Sequence, residues 1–422
     1  MSAATMLVAI IRGGFAGAIL ANALTGLPHL DTHVFESAPE FSERGTAVGL
    51  SGNARVALQH IIPSAKELLA RAGAVPINST RIVLGSGPDA GTLIADLDAH
   101  ATPEDKELIV HRASLLRELL APLPKECLHS NKKLTDIKGT GNGIQLTFQD
   151  GTTDQFDIVI GADGIFSSVR KYVLQEAAEE CAASPAGWWD SRVVVPLEKA
   201  RTALGEQFFD VHRQYLWTGD KAFLLHDVLE NGTLVQCIIS AVEEGPPADR
   251  KRTLTRELLT ATLGDWLEGP IAKGMIELTL EDSGTQGYSQ WEHKSTPTYA
   301  NGRVCIMGRR SPWTTPWQSA GAGQAFEDAA VLGALLSAVS SAEDVNAAFA
   351  AYDSVRRPRC QRVIDSSRET GQIFTGRHEE VGITPDDLRA ALGGRWAFLT
   401  IDLDVHKREA LDKMREILGK GK

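Results

Sequence analysis

Two stretches of the chain carry residues whose types and spacing could do chemistry. The first is the turn Arg12-Gly13-Gly14-Phe15-Ala16-Gly17, between an apolar run at residues 7–11 and a helical run at 16–24. A strand, a glycine-rich turn and a helix start make a ready site for a dinucleotide pyrophosphate. The glycines let backbone approach the phosphates, and the open N–H groups at the helix start favour negative charge. Glu36 closes the next strand-like run, 22 residues beyond Gly14, where a carboxylate can accept a hydrogen bond from a ribose hydroxyl. A tight strand–helix turn without a ligand fits the same spacing. The second stretch is AFLLHDVL, which carries His226 and Asp227 side by side. On a strand their side chains point to opposite faces, so only one can enter a given pocket, where it could act as an acid or base. For His226 the competing reading is a histidine packed within a core.

The composition sets the background. The chain has 422 residues, 43% hydrophobic and 23% charged, as in ordinary globular proteins, and a net charge of -11. Excess negative charge argues against a nucleic-acid or anionic-membrane partner. The five cysteines are scattered with no C-x-x-C spacing, so neither a disulfide framework nor a metal site is expected. No run approaches the ~20 apolar residues of a membrane span. A cytoplasmic location is the expectation.

The elements that must position the chemistry follow from periodicity. The opening β-α-β unit implies a parallel sheet with a right-handed crossover. Residues 81–100 alternate around G-S-G-P as a hairpin, and VHRASLLRELLAPL from Val110 has helical leucine spacing. Short strands linked by N-G and D-G turns lead to FDIVIGADG, whose continuous apolar run belongs in a buried sheet. Residues 186–299 alternate strand-like runs, IELTLE among them, with one helix near 253–267. A buried strand at NGRVCIMG, a long apolar helix and a charged helical tail complete the chain. The expected division is 1–80, 101–180 and 300–341 in one discontinuous domain, 81–100 and 181–299 in a second, and 342–422 as the tail.

Two later segments repeat the strand–loop–helix arrangement: GADGIFSSVR, from Gly161 to Arg170, and GRRSPWTTPWQSAGAGQAFEDAAVLGALL, from Gly308. With these the chain resembles the FAD-dependent aromatic hydroxylases, the class A flavoprotein monooxygenases, and most of all their salicylate hydroxylase branch. The resemblance runs over most of the chain in order. It implies an α/β fold: an FAD-binding Rossmann-type domain with a smaller antiparallel-sheet substrate domain and a helical C-terminal tail. It implies that Gly14, Gly17 and Glu36 meet the adenosine half of FAD and that Arg112 meets the phosphates. It places Asp163 and Gly164, with Arg170, against the pyrophosphate and a nicotinamide cofactor. Pro316 and Gly321 fall under the isoalloxazine ring, and residues 352–359 match a tail signature.

The departures from the family pattern matter too. Arg12 stands where the family has glycine, Arg309 where it has aspartate, Pro312 and Trp313 where it has small residues, and Ser319 in place of another glycine. An arginine has five donors and no acceptor, so Arg309 cannot replace a carboxylate that accepts from the ribityl chain. These changes cluster on one ligand. The leading expectation is therefore a repurposed enzyme, of isomerase or cyclase type, acting on an aromatic or polyketide-like small molecule without the family's flavin chemistry. A working FAD- and NAD(P)H-dependent aromatic hydroxylase and a non-catalytic ligand-binding protein are the alternatives. By analogy, Arg192, Tyr215, Trp217, His226 and Asp227 face the cleft, with Arg309 a cation for developing negative charge.

Overall fold

The computed structural model describes residues 5–42, 47–98, 100, 102, 106–282, 284–293, 295–308 and 316–419. The opening apolar run forms strand Met6–Ile11, which pairs in parallel with Leu30–Phe35 on one side and Ile158–Gly161 on the other. Val304–Ile306 extends the parallel set beyond Ile158–Gly161. Among the described residues these strands lie inside a six-stranded sheet. Helix Phe15–Leu24 buries eight of its ten residues, so it is apolar nearly all round and sits between the sheet and helix Gly321–Ser337. Gly17 is required here, because a Cβ would collide with the carbonyl oxygen of Arg12.

A second sheet has eight strands among the described residues. Its order is Lys251–Thr253, Gln286–His293, Ala183–Pro196, Leu234–Val242, Ala222–Leu229, Gln214–Gly219, Thr80–Leu84 and Leu93–Leu97. It is antiparallel except between Gln214–Gly219 and Thr80–Leu84. The hairpin expected at 81–100 therefore forms the edge of this sheet. Side chains alternate between two cores. One face, with Trp217, Leu224, Cys237 and Ile239, packs on helix Ala272–Thr279 and its neighbours. The other, with Leu216, Phe223 and Ile238, meets Trp317, Phe374 and helix Pro385–Leu392. The adjacent tryptophans split accordingly: Trp189 enters the first core and Trp188 the second.

One expected strand is a helix. Within IELTLE, the residues Ile276 and Thr279 continue a buried 3.6-residue series begun by Ala272 and Met275, and helix Ala272–Thr279 results. A six-residue window showed alternation, and the helical period needed the preceding residues.

The tail begins with the long helix Asp344–Phe374. Helix Leu403–Ile417 returns to pack on it and on Gly321–Ser337. Among the described residues no helix is long and apolar enough to cross a membrane.

Candidate active site

At the glycine turn, Gly14 is the extended N-cap residue of helix Phe15–Leu24 and supplies no side chain to cap it. Open N–H groups therefore face outward at the positive end of the helix dipole. Arg112 opens helix Arg112–Leu120, and its guanidinium lies 4.7 Å above the Phe15 ring, at the same end. Glu36 is buried, and its Oε2 accepts the Gly13 N–H at 3.1 Å. Its Oε1 accepts from Ala38 N–H at 2.9 Å and Ser37 Oγ at 3.0 Å, which fixes the carboxylate while Oε2 keeps a further lone pair.

Arg12 takes φ = 86°, the left-handed conformation a glycine would adopt freely. The substitution thus keeps the glycine-like backbone of the turn, and the residue is exposed. Ser319 repeats this behaviour, with φ = 52°. Arg309, Pro312 and Trp313 lie outside the described residues. Pro316 begins the single turn Pro316–Gln318, and Gly321 is the first residue of helix Gly321–Ser337, whose start again has no side-chain cap.

Asp163 accepts hydrogen bonds from Ser167 Oγ, from Ser168 N–H at 2.7 Å and from Val169 N–H at 3.3 Å. Its carboxylate thus organises the start of helix Ser168–Leu174, while burial pushes its pKa up. Gly164 follows at φ = 81°. Arg170 is largely buried, with Nε and Nη2 unpartnered among the described residues, and burial lowers its pKa.

At the end of strand Val304–Ile306 lies a charged cluster that sequence reasoning missed. Arg356, fully buried, binds Asp328 at 2.6 Å and Glu327 at 2.7 Å. Asp328 also accepts the Gly308 N–H at 2.7 Å, so this cluster pins the end of strand Val304–Ile306 where the loop departs. Among the described residues no group of three or more His, Cys, Asp or Glu could hold a metal ion.

Between the eight-stranded sheet and the Trp317-Gln318-Ser319 segment lies a cavity of about 210 Å3. Arg192, Gln214, Asp227, Gln236 and Ser240 reach it from the sheet, Glu107 from beyond strand Thr80–Leu84, and Trp396 from the tail. Asp227 accepts from Gln214 Nε2 at 2.9 Å and from Gln236 Nε2 at 3.2 Å. Burial pushes its pKa up to about 7, against the opposing pull of those two amides and Arg192. Glu107 is also raised to about 7, by burial first and then by the like charge of Asp98. Arg192 donates Nε and Nη2 to Asp190 at 3.0 and 2.8 Å, and its Nη1 makes no hydrogen bond among the described residues.

Tyr215, Trp217 and His226, expected to face the cleft, point into the opposite core. The His226 ring stacks on Tyr215 with centroids 4.9 Å apart, and Nδ1 accepts the Trp217 indole N–H at 3.4 Å. Burial drives its pKa down to about 3. The cause is strand alternation: Tyr215 and His226 are cross-strand partners, so they share the face that Asp227 does not. The polar residues that do line the cavity, Gln214, Asp227 and Gln236, had a visible signal, since each interrupts an apolar strand.

A parallel sheet with a glycine turn at its first helix and a cavity against a second sheet fit a flavin-dependent monooxygenase, and the comparisons agree. The chain belongs to the FAD binding domain family, which matches residues 5–367, and it is an enzyme of the FAD-dependent monooxygenase type. It is similar to the 6-methylsalicylate 1-monooxygenase of Aspergillus terreus, 33% identical over 98% of this chain and 93% of that protein. A salicylate hydroxylase of Pseudomonas putida is 30% identical, covering 96% and 94% of the two chains. A solved salicylate hydroxylase substrate complex superposes with a TM-score of 0.82 at 25% identity, over 96% of this chain and 98% of that one.

The residues present fit FAD. The uncapped helix start at Gly14 and the Arg112 guanidinium suit the phosphates, Glu36 stands at the ribose end, and Arg12 keeps the left-handed backbone of a glycine.

Proposed function

We propose that this enzyme hydroxylates a single-ring phenolic acid, using FAD and NAD(P)H. The cavity carries this reading. A cavity of ~150 Å3 takes benzene, so about 210 Å3 suits one ring with small substituents. Bound at this site, FAD would supply the oxygen-activating chemistry, held by Gly14, Gly17, Glu36 and Arg112. NAD(P)H would approach the side that carries Asp163 and Gly164.

The cavity residues have separate tasks. Arg192 offers its free Nη1 to the substrate carboxylate, with Asp190 fixing the guanidinium. Asp227, once ionised, takes the proton from the ring hydroxyl, and the resulting phenolate is the more electron-rich ring for attack by an electrophilic oxygen. A pKa of about 7 suits that exchange near neutrality. The apolar walls Leu216, Phe223 and Ile238 exclude water around the ring. The conserved backbone shape at Arg12 and Ser319 favours this hydroxylase reading over a flavin-free isomerase or cyclase.

The test is direct. The purified protein should release about one FAD per chain on denaturation, and salicylate or 6-methylsalicylate should accelerate NAD(P)H oxidation with formation of an oxygenated product. Colourless protein that takes up no added FAD, together with no substrate-dependent NAD(P)H oxidation, would overturn the reading.

A further inference from the structure

The C-terminal tail supplies one wall of the cavity. Trp396 lines it opposite the sheet, close to Phe374, with ring centroids 6.4 Å apart. The segment that carries this tryptophan is tethered on both sides. Just before it, Arg395 donates to Thr370 Oγ1 at 2.6 Å and pairs with Glu369 at 2.6 Å, both on the long helix Asp344–Phe374. Just after it, Arg359 binds the carbonyls of Phe398 at 2.7 Å and Leu399 at 2.5 Å. Asn53, from the nucleotide-binding half, accepts the Ile401 N–H at 3.2 Å and donates to the Leu399 carbonyl at 3.1 Å. Upstream, helix Pro385–Leu392 buries Leu388 and Leu392 in the core shared with the sheet.

We infer that Trp396 is a specificity-determining residue, the wall that limits the substrate to one ring. The inference rests on the reading of this cavity as the substrate site. A large indole held at the end of a doubly anchored strap removes volume and supplies a flat apolar face. Six hydrogen bonds or ion pairs to two separate helices, Asp344–Phe374 and Gly52–Ile61, fix its position far more firmly than the side chain of a loose terminal segment. The strap is continuous with the tail, so the size of the substrate is set by residues remote in sequence from both the flavin turn and the sheet.

Calorimetric titration with salicylate and with a two-ring hydroxynaphthoate tests this without requiring turnover. The wild-type protein should bind salicylate and discriminate against the naphthoate. Trp396→Ala should weaken salicylate binding by about tenfold and reverse the ring preference, as expected for loss of an aromatic wall. Trp396→Phe should restore salicylate binding to within about threefold and keep the one-ring preference. Unchanged Kd values for both ligands in Trp396→Ala, with an unchanged melting temperature, would overturn the wall assignment alone. If Trp396→Ala fails to fold, Trp396→Phe and Trp396→Leu carry the test: Leu must shift the preference toward the naphthoate and Phe must not. Wild-type binding without turnover would overturn only the proposed reaction, whereas absence of wild-type binding to either ligand would overturn both.

Discussion

Gln236 joins Asp227 to strand Ala47–Leu50. Its Nε2 donates to the Asp227 carboxylate at 3.2 Å while its Oε1 accepts the Ala47 N–H at 3.1 Å. A single amide thus sets the position of the cavity's acid against Ala47–Leu50, the strand on which Gly49 also meets the cavity. Asp227→Asn keeps the shape and removes the charge. It should lower kcat by about 10²–10⁴ with little change in fold. For the wild type, kcat should rise with pH through about 7 as the carboxylate ionises. In Asp227→Asn that limb should vanish, which steady-state kinetics between pH 5.5 and 8.5 (roughly the usual working range) would check.

His226 should prove dispensable for catalysis. Its Nε2 is buried without a partner among the described residues, and an unmet donor costs about 1–3 kcal/mol. His226→Phe is therefore expected to retain activity within about threefold and to be as stable as the wild type or better. The sign of the pH effect follows from the folded pKa of about 3, below the ordinary histidine value of 6.5. The unfolded chain binds the extra proton first, so the wild type loses stability as pH falls from 6.5 toward 3. His226→Phe should lose less across that window in denaturant titrations.

Arg12 and Ser319 occupy glycine conformations, and a left-handed non-glycine residue costs roughly 1–2 kcal/mol. Glycine returns some of this through the greater entropy of its unfolded chain. Arg12→Gly and Ser319→Gly should each stabilise the protein by about 0.5–1 kcal/mol, read from urea unfolding midpoints.

Removing the Arg356 guanidinium would leave Glu327 and Asp328 buried without their main cation. Arg356→Met should cost about 3–5 kcal/mol and lower FAD occupancy, since Asp328 also holds the Gly308 N–H. Thermal melting with and without added FAD separates the two effects.

Gly371 stands where any Cβ would collide with the Trp317 indole. Gly371→Ala should cost about 1–3 kcal/mol by overpacking. By shifting that wall it should also raise KM more than it lowers kcat, which substrate-saturation curves would resolve.

The sequence by itself determined the family and the parallel nucleotide-binding unit. The glycine turn, Glu36, the Asp163-Gly164 pair and the loop before Gly321 are local patterns, each written within a few consecutive residues. It also determined that His226 and Asp227 must part company, because strand alternation is a local rule. Which of the two faces the cavity was decided only by tertiary structure. That depended on which side of the sheet received helix Ala272–Thr279 and which received the tail. The same holds for Arg12: its type predicted interference, and only the structure showed that the turn keeps its glycine-like backbone, at φ = 86°. Trp396, 84 residues beyond Pro312 in an apparently ordinary tail, became a cavity wall because hydrogen bonds from Arg359, Arg395 and Asn53 brought it there. Contacts between segments so far apart leave no period or motif in the chain, since their geometry exists only once the sheets have packed.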